Sequence, residues 1–242
     1  MKLCLFLPLL FSALFISCAK INSEDIEQNE IITDYQILYN AKNEEITARA
    51  TFLSGKGFSS LTRIKLSGES FVSINGQKLK LEGLIDKNFS LEYSGRMKLE
   101  NGEEEAILIY QNNDGEIFEN KITMLGEPTF KVLPTIVEVD NLNHLEIDKE
   151  SLPIGRSEVY FTLRDEKLKT LTSMALLNSE ISADGEASFH LKSDISKDEK
   201  LAEKGEIGLC GRVKRNDIES PEAGGTLSMS TCGHPTAVRI LN

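Results

Sequence analysis

Tryptophan is absent from the 242 residues, and only three histidines and four cysteines are present. With no tryptophan and five tyrosines, the chain lacks the usual exposed aromatic platform of a sugar-binding site. The cysteines include no C-x-x-C pair, so the common zinc spacings are excluded. No G-x-S-x-G or H-E-x-x-H motif surrounds a serine or histidine. "SGKGFSS" (54–60) has glycines and a lysine but not phosphate-loop spacing, and reads as a turn. Positive charge is also short. Lys and Arg number 27 against 38 Asp and Glu, a net charge of −11, which disfavours nucleic acid as a partner. No apolar run after residue 18 approaches membrane-spanning length.

What is present begins at the N-terminus. Lys2 precedes an apolar stretch from Leu3 to Ile16, broken only by Pro8 and Ser12. That is the length of a signal peptide and short for a membrane span. Ser17-Cys18-Ala19 reads as a small-x-small cleavage site before Lys20. The alternative reading is a lipobox over Phe15, Ile16, Ser17 and Cys18. In that reading the segment resembles the signals of bacterial lipoproteins, although Phe15 stands where leucine is usual. The resemblance implies that residues 1–17 are removed and that Cys18 becomes the lipidated first residue. It also implies more than one acyl chain, and so a stable membrane anchor. Ala19 leans towards the outer membrane, with the periplasmic or surface face left open. Cleavage removes one lysine and no acid, moving the net charge to −12. The polar stretch after Cys18, residues 18–31, reads as a flexible tether.

The rest reads as all-β. "EITARATFLS" (45–54) alternates, placing Ile46, Ala48, Ala50 and Phe52 on one face. "EVYFTLRD" repeats this with Val159, Phe161 and Leu163, and "EASFHLKS" with Ala187, Phe189 and Leu191. Period two with one apolar face predicts antiparallel strands over a core. Tyr93 and Tyr160 are expected to fill strand faces. Asn75-Gly76, Asn101-Gly102, Asp114-Gly115 and Asp184-Gly185 separate these runs and suit tight hairpins. One helix is expected, at 197–204, between the capping pair Ser196 and Glu199 and the stop at Gly205. Gly126, Pro128 and Pro134 interrupt the pattern. The expected division is therefore a β-sandwich over 32–126 and a second over 130–242, with few hydrogen bonds crossing the junction. The architecture resembles tandem immunoglobulin-like domains. Gly208 occupies the place of that family's corner tyrosine, and the family's tryptophan is missing.

Cys4 leaves with the signal and Cys18 takes the lipid, so Cys210 and Cys232 remain as an even pair in an oxidising compartment. Ile207, Leu209 and Val213 share a face, and so do Leu227 and Met229. Both cysteines therefore point away from the core. Pairing 210 with 232 centres the hairpin on Pro221, inside the loop-like "NDIESPEAGG". The bridge is expected between neighbouring strands on an outer sheet face, with a contribution of roughly 3 kcal/mol.

The remaining clusters carry little chemistry. "YQNNDGEIFENK" fails as a calcium loop, because Tyr110 and Lys121 stand where carboxylates are required, so it reads as a hairpin. Asp140, Asn141, Asn143 and Asp148 supply oxygens near the junction but are ordinary turn residues. His144, His190 and His234 read as exposed. No catalytic residue, cofactor or metal is expected. The resulting expectation is a non-catalytic envelope lipoprotein, structural or adhesive, meeting an envelope protein partner through edge strands or loops. Its rivals are an envelope hydrolase assembled from dispersed residues and a carrier holding a small ligand in the inter-domain cleft.

Overall fold

Alternation builds the strands. The computed structural model describes residues 20–54, 62–82, 91–99, 105–152, 157–167, 169–177, 181–191 and 203–241. Ten described strands come from the first half: β1 (Lys20–Asn22), β2 (Ile31–Asn40), β3 (Glu45–Ser54), β4 (Thr62–Lys65), β5 (Phe71–Ile74), β6 (Gln77–Lys78), β7 (Lys80–Glu82), β8 (Glu92–Lys98), β9 (Glu105–Gln111) and β10 (Ile117–Thr123). Nine follow: β11 (Phe130–Val132), β12 (Ile136–Glu138), β13 (Leu142–Ile147), β14 (Ser157–Asp165), β15 (Thr170–Leu177), β16 (Glu186–His190), β17 (Lys204–Arg215), β18 (Gly225–Cys232) and β19 (Thr236–Leu241). The chain is all-β, as its pattern predicts. Ile46, Ala48, Ala50, Phe52, Val159, Phe161, Leu163, Ala187, Phe189 and Leu191 are all buried. Asn75 and Gly76 both adopt positive φ (44° and 75°), the geometry of a two-residue hairpin turn between β5 and β6.

One large sheet runs in the order β1-β4-β3-β2-β18-β17-β14-β15, with β8 and β7 continuing from β3, and β19 and β12 from β17. Two smaller sheets, β10-β9-β5-β6 and β11-β13-β16, pack against it. Among the described residues pairing is antiparallel except at β1/β4, β12/β19 and β2/β18 and at one isolated parallel bridge, Val139 with Leu191. The β2/β18 pair joins the two halves, with Thr33–Asn40 lying alongside Gly225–Cys232.

The apolar side chains gather in two clusters. One contains Tyr35, Phe52, Tyr93, Tyr110 and Ile122, and also Leu227 and Met229 from β18. The other contains Val159, Phe161, Leu163, Phe189, Ile207 and Leu209. Removing each such side chain from water is worth about 1.5–3 kcal/mol. Opposed residues of a ladder share a face. Met229 faces Val213 on β17, and Leu209 and Ile207 lie on that same face of β17. Both cores therefore lie on one side of the large sheet, each closed by a small sheet. The result is two sandwiches sharing a layer, and β18 lends its core residues to the first.

Three local expectations change. The stretch read as a flexible tether is folded from Lys20 onward. Ser23 is fully buried, with its hydroxyl 2.8 Å from Ser70 Oγ and accepting from Asn113 Nδ2 at 3.0 Å. Gln28 Nε2 donates to the Ser23 carbonyl at 2.6 Å, and Gln28 Oε1 accepts from the Asn113 amide at 3.1 Å. These polar residues are buried because each is hydrogen-bonded, so their polarity does not mean exposure. The junction is also tied down rather than sparsely bonded. Thr231 Oγ1 donates to the Leu125 carbonyl at 3.2 Å, and Glu127 Oε1 accepts from the His234 amide at 2.6 Å. A Cβ on Gly233 would stand 2.7 Å from the Pro128 carbonyl, so only glycine admits this close approach. Tyr160 faces away from the core, between its buried neighbours Val159 and Phe161. The expected helix at 197–204 lies outside the described residues up to 202, and Lys204 already belongs to β17. Cys18, the 54–60 turn beyond Ser54, and Asn101-Gly102 also lie outside them.

Candidate binding surface

Because both small sheets lie on one side, the other side of the large sheet is uncovered, among the described residues, across β3, β2, β18, β17 and β14. Its alternate residues are the ones pointing away from the cores. Tyr160 stands opposite Cys210, and Cys210 opposite Cys232, which in turn neighbours Asn40. Cys210 and Cys232 are bonded, with Cα atoms 4.0 Å apart. The Gly233 amide donates to the Leu209 carbonyl at 3.0 Å, so 210 and 232 form a non-hydrogen-bonded pair, the closer kind of antiparallel pairing. The disulfide thus joins neighbouring strands on the outer face, in the register expected from Pro221.

The Arg212 guanidinium lies over the Tyr160 ring, 5.0 Å from its centroid. Arg212 Nη1 is 3.5 Å from Glu158 Oε2, and Arg212 Nε donates to Ser230 Oγ at 3.3 Å. A groove of about 480 Å³ follows the disulfide, between Leu38, Asn40, Tyr160, Arg164 and Glu206. Two more, of about 290 and 300 Å³, continue past Gln36, Arg49, Arg212 and Lys214. The first and second share Leu38 and Tyr160, and the second and third share Gln36, Arg212 and Ser228, so they form one shallow trough across the strands. Its walls carry five cations: Lys42, Arg49, Arg164, Arg212 and Lys214. They carry three anions, Asp34, Glu158 and Glu206, and Glu92 Oε1 lies beside them, 3.6 Å from Arg49 Nε. On a chain of net charge −11 this is a local reversal of sign. Leu38, 40 % exposed, adds an apolar contact in its floor. The trough offers hydroxyls, an amide, an aromatic edge and net positive charge, which suits holding a polar, anionic chain.

The remaining singled-out residues do not converge on it. His144 Nδ1 is 3.0 Å from Ser188 Oγ, but the pair is exposed on the outer face of β13 and β16, and His190 stands opposite Leu142 on the same face. His234 Nδ1 meets Glu127 Oε1 at 2.9 Å. Burial alone would raise the Glu127 pKa, yet the hydrogen bonds and charge of His234 hold it below its ordinary value. Asn143 is buried and bonds both the Glu138 amide and the Glu138 carbonyl, while Asp148 caps the turn at Lys149–Ser151. These oxygens are spent on turns. Asn112 does the same in the β9–β10 hairpin, accepting from Asp114 and Glu116 amides. Among the described residues no three His, Cys, Asp or Glu side chains gather where they could hold a metal ion, and no helix is long and apolar enough to cross a membrane. A cleft of about 500 Å³ between the sandwiches is lined mainly by apolar groups, including Ile122, Leu125, Leu152, Leu227 and Met229.

The trough was hidden from sequence reading, because it depends on β2 lying beside β18. Its one local signal was the alternation that turns Tyr160 and Arg212 away from the core.

No family model matches the chain. No curated protein matches it either. Among solved structures it is similar to the tandem Ig repeats of Dlar, at 13% identity, covering 84% of this chain and 97% of that one with a TM-score of 0.30. It is also similar to SGBP-B of the Bacteroides ovatus mixed-linkage glucan utilization locus, in complex with a mixed-linkage heptasaccharide, at 9% identity, 77% and 53% coverage and a TM-score of 0.20. Likenesses this slight leave the function to be argued from this chain's own surface.

Proposed function

We propose that the protein is a non-catalytic binding module of the bacterial envelope, anchored by lipid on Cys18, with outer-membrane placement following from Ala19. Residues 32–126 and 130–242 supply most of the two sandwich units, with β1 and β18 completing the first. The observation that carries the binding role is the uncovered cationic trough on the shared sheet. It fits an extended polypeptide segment of net acidic character, held by hydrogen bonds and charge rather than by a deep pocket. The lipobox-like Phe15–Cys18 segment supports the anchor.

A photo-crosslinking amino acid at Gln36 or Thr162, both flanking the trough, tests the binding role in isolated envelopes. Partner adducts are expected there. They should be lost when Arg212→Glu and Lys214→Glu reverse the charge, and reduced by competing polyglutamate. Equal adducts from Glu186, on the outer face of the β11-β13-β16 sheet, would overturn the assignment. Metabolic labelling with an alkynyl fatty acid tests the anchor: the wild type should be labelled and Cys18→Ala should not.

A further inference from the structure

The fold begins almost at the proposed anchor. Lys20–Asn22 is already strand β1, paired in parallel with Arg63–Lys65 of β4. Ile21 packs against the first core, and Ser23 is locked by Ser70, Ser67 and Asn113 immediately afterwards. Only Ala19 separates Cys18 from this strand. Two residues of extended chain reach about 7 Å, far less than the width of either sandwich.

We propose that the first sandwich rests directly on the lipid surface by its β1–β4 edge. This rests on the lipid-anchor reading of Cys18. Charge at that edge agrees with it. Lys20 stands opposite Arg63, and Asn22 opposite Lys65. These positions alternate with Ile21 and Ile64, which face the core, so Arg63 and Lys65 share the outward face. The acids Glu24 and Asp25 follow only in the turn after β1. A basic strand pair on an acidic protein is attracted to anionic headgroups within a Debye length of the surface. The order β1-β4-β3-β2-β18-β17-β14-β15 then spaces the rest of the sheet away from the anchor. Seven inter-strand steps place β15 about 34 Å along the sheet from β1. The trough over β2, β18, β17 and β14 therefore stands between the membrane and the far edge, presented sideways. A partner reaches it by running along the membrane rather than by descending onto it.

The test uses the full-length lipidated protein in its own membranes. A photo-crosslinking amino acid replaces exposed Lys65 in one version and exposed Ala175 on β15 in another. A further pair of versions carries a flexible Gly-Ser insertion of about twelve residues, spanning roughly 20 Å on average, between Ala19 and Lys20. Phospholipid adducts should form several-fold more at position 65 than at 175, and the insertion should bring the ratio towards one. Equal adducts at both positions, with Cys18 still carrying fatty acid, would overturn the resting placement and leave the anchor standing. A ratio that survives the insertion would overturn the short leash as its cause. Loss of fatty acid label from wild-type Cys18 would remove the anchor and this placement together.

Discussion

The two sandwiches are built to different recipes. In the first, Phe52 touches three aromatic rings, those of Tyr35, Tyr93 and Tyr110, at centroid distances of 6.3, 5.8 and 4.8 Å. Tyr110 stacks in turn on Phe118. Burial pushes the Tyr35 and Tyr110 phenols well above their ordinary pKa, so they stay neutral at any physiological pH. Tyr93 is buried too but keeps a polar role, its hydroxyl accepting from the Leu66 amide at 2.7 Å. Among the described residues the second core has a single aromatic pair, Phe161 with Phe189, with Phe130 packed at its margin and mainly aliphatic side chains elsewhere. It has the disulfide on its outer surface instead. The contrast suggests a division of labour: the half nearest the proposed anchor is held by ring packing, and the half bearing most of the trough is reinforced by a cross-link. The shared strand β18 couples them, because Leu227 and Met229 leave the second half to complete the first core.

Truncating the hub of the ring cluster should have the largest effect. Phe52→Ala removes a fully buried ring and three aromatic contacts, at a cost of about 3–5 kcal/mol. Phe161→Ala, with one aromatic contact, should cost about 3 kcal/mol. Urea unfolding followed by both fluorescence and circular dichroism checks this. If β18 couples the halves, each variant shifts one common transition. Two separated transitions, with only one of them moved by Phe52→Ala, would show that the halves unfold independently. Next in size is the disulfide. Cys210→Ala with Cys232→Ala opens a loop whose ends lie 22 residues apart in sequence, at a cost of about 3 kcal/mol. The loss should fall on the second half and on the trough floor, so adducts at Thr162 should drop more than those at Gln36. A double variant melting with the wild type would mean that the β17–β18 register is held by hydrogen bonds alone.

Much of this comparison was legible in residue order. The alternation from Glu45 to Ser54 and around Phe161 and Phe189 announced which side chains build the cores. The outward parity of Cys210 and Cys232, with Pro221 midway, announced the hairpin register and the exposed bridge. These are local signals, because a strand's two faces are written in successive residues. The joining of β2 to β18 carries no such signal. It brings Tyr35 beside Leu227, 192 residues later, and parallel pairing at that separation has no turn to mark it. The trough inherits that invisibility. Ser23 and Gln28 misled for another reason: their polarity suits a solvated tether equally well, and only the partners Asn113 and Ser70, distant in sequence, reveal a buried network.

The smallest effect tests the junction, where the two recipes meet. Glu127 reaches from the connecting segment to His234 in the turn after β18, accepting from both its amide and its ring. The folded state lowers the Glu127 pKa below its ordinary 4.5. A carboxyl with a depressed folded pKa stabilises the fold above its unfolded value, and that contribution is lost as pH falls through the folded one. Glu127→Gln keeps an acceptor and removes the charge. At pH 7 it should lower the melting temperature slightly, since exposed pairs of this kind contribute about 0.2–1 kcal/mol. Below pH 4.5 the difference between variant and wild type should shrink as wild-type Glu127 takes up its own proton. Thermal melts at neutral and acid pH decide the point. A difference that stays constant across that range would mean that the junction is held by shape alone, through the close fit of Gly233 against Pro128.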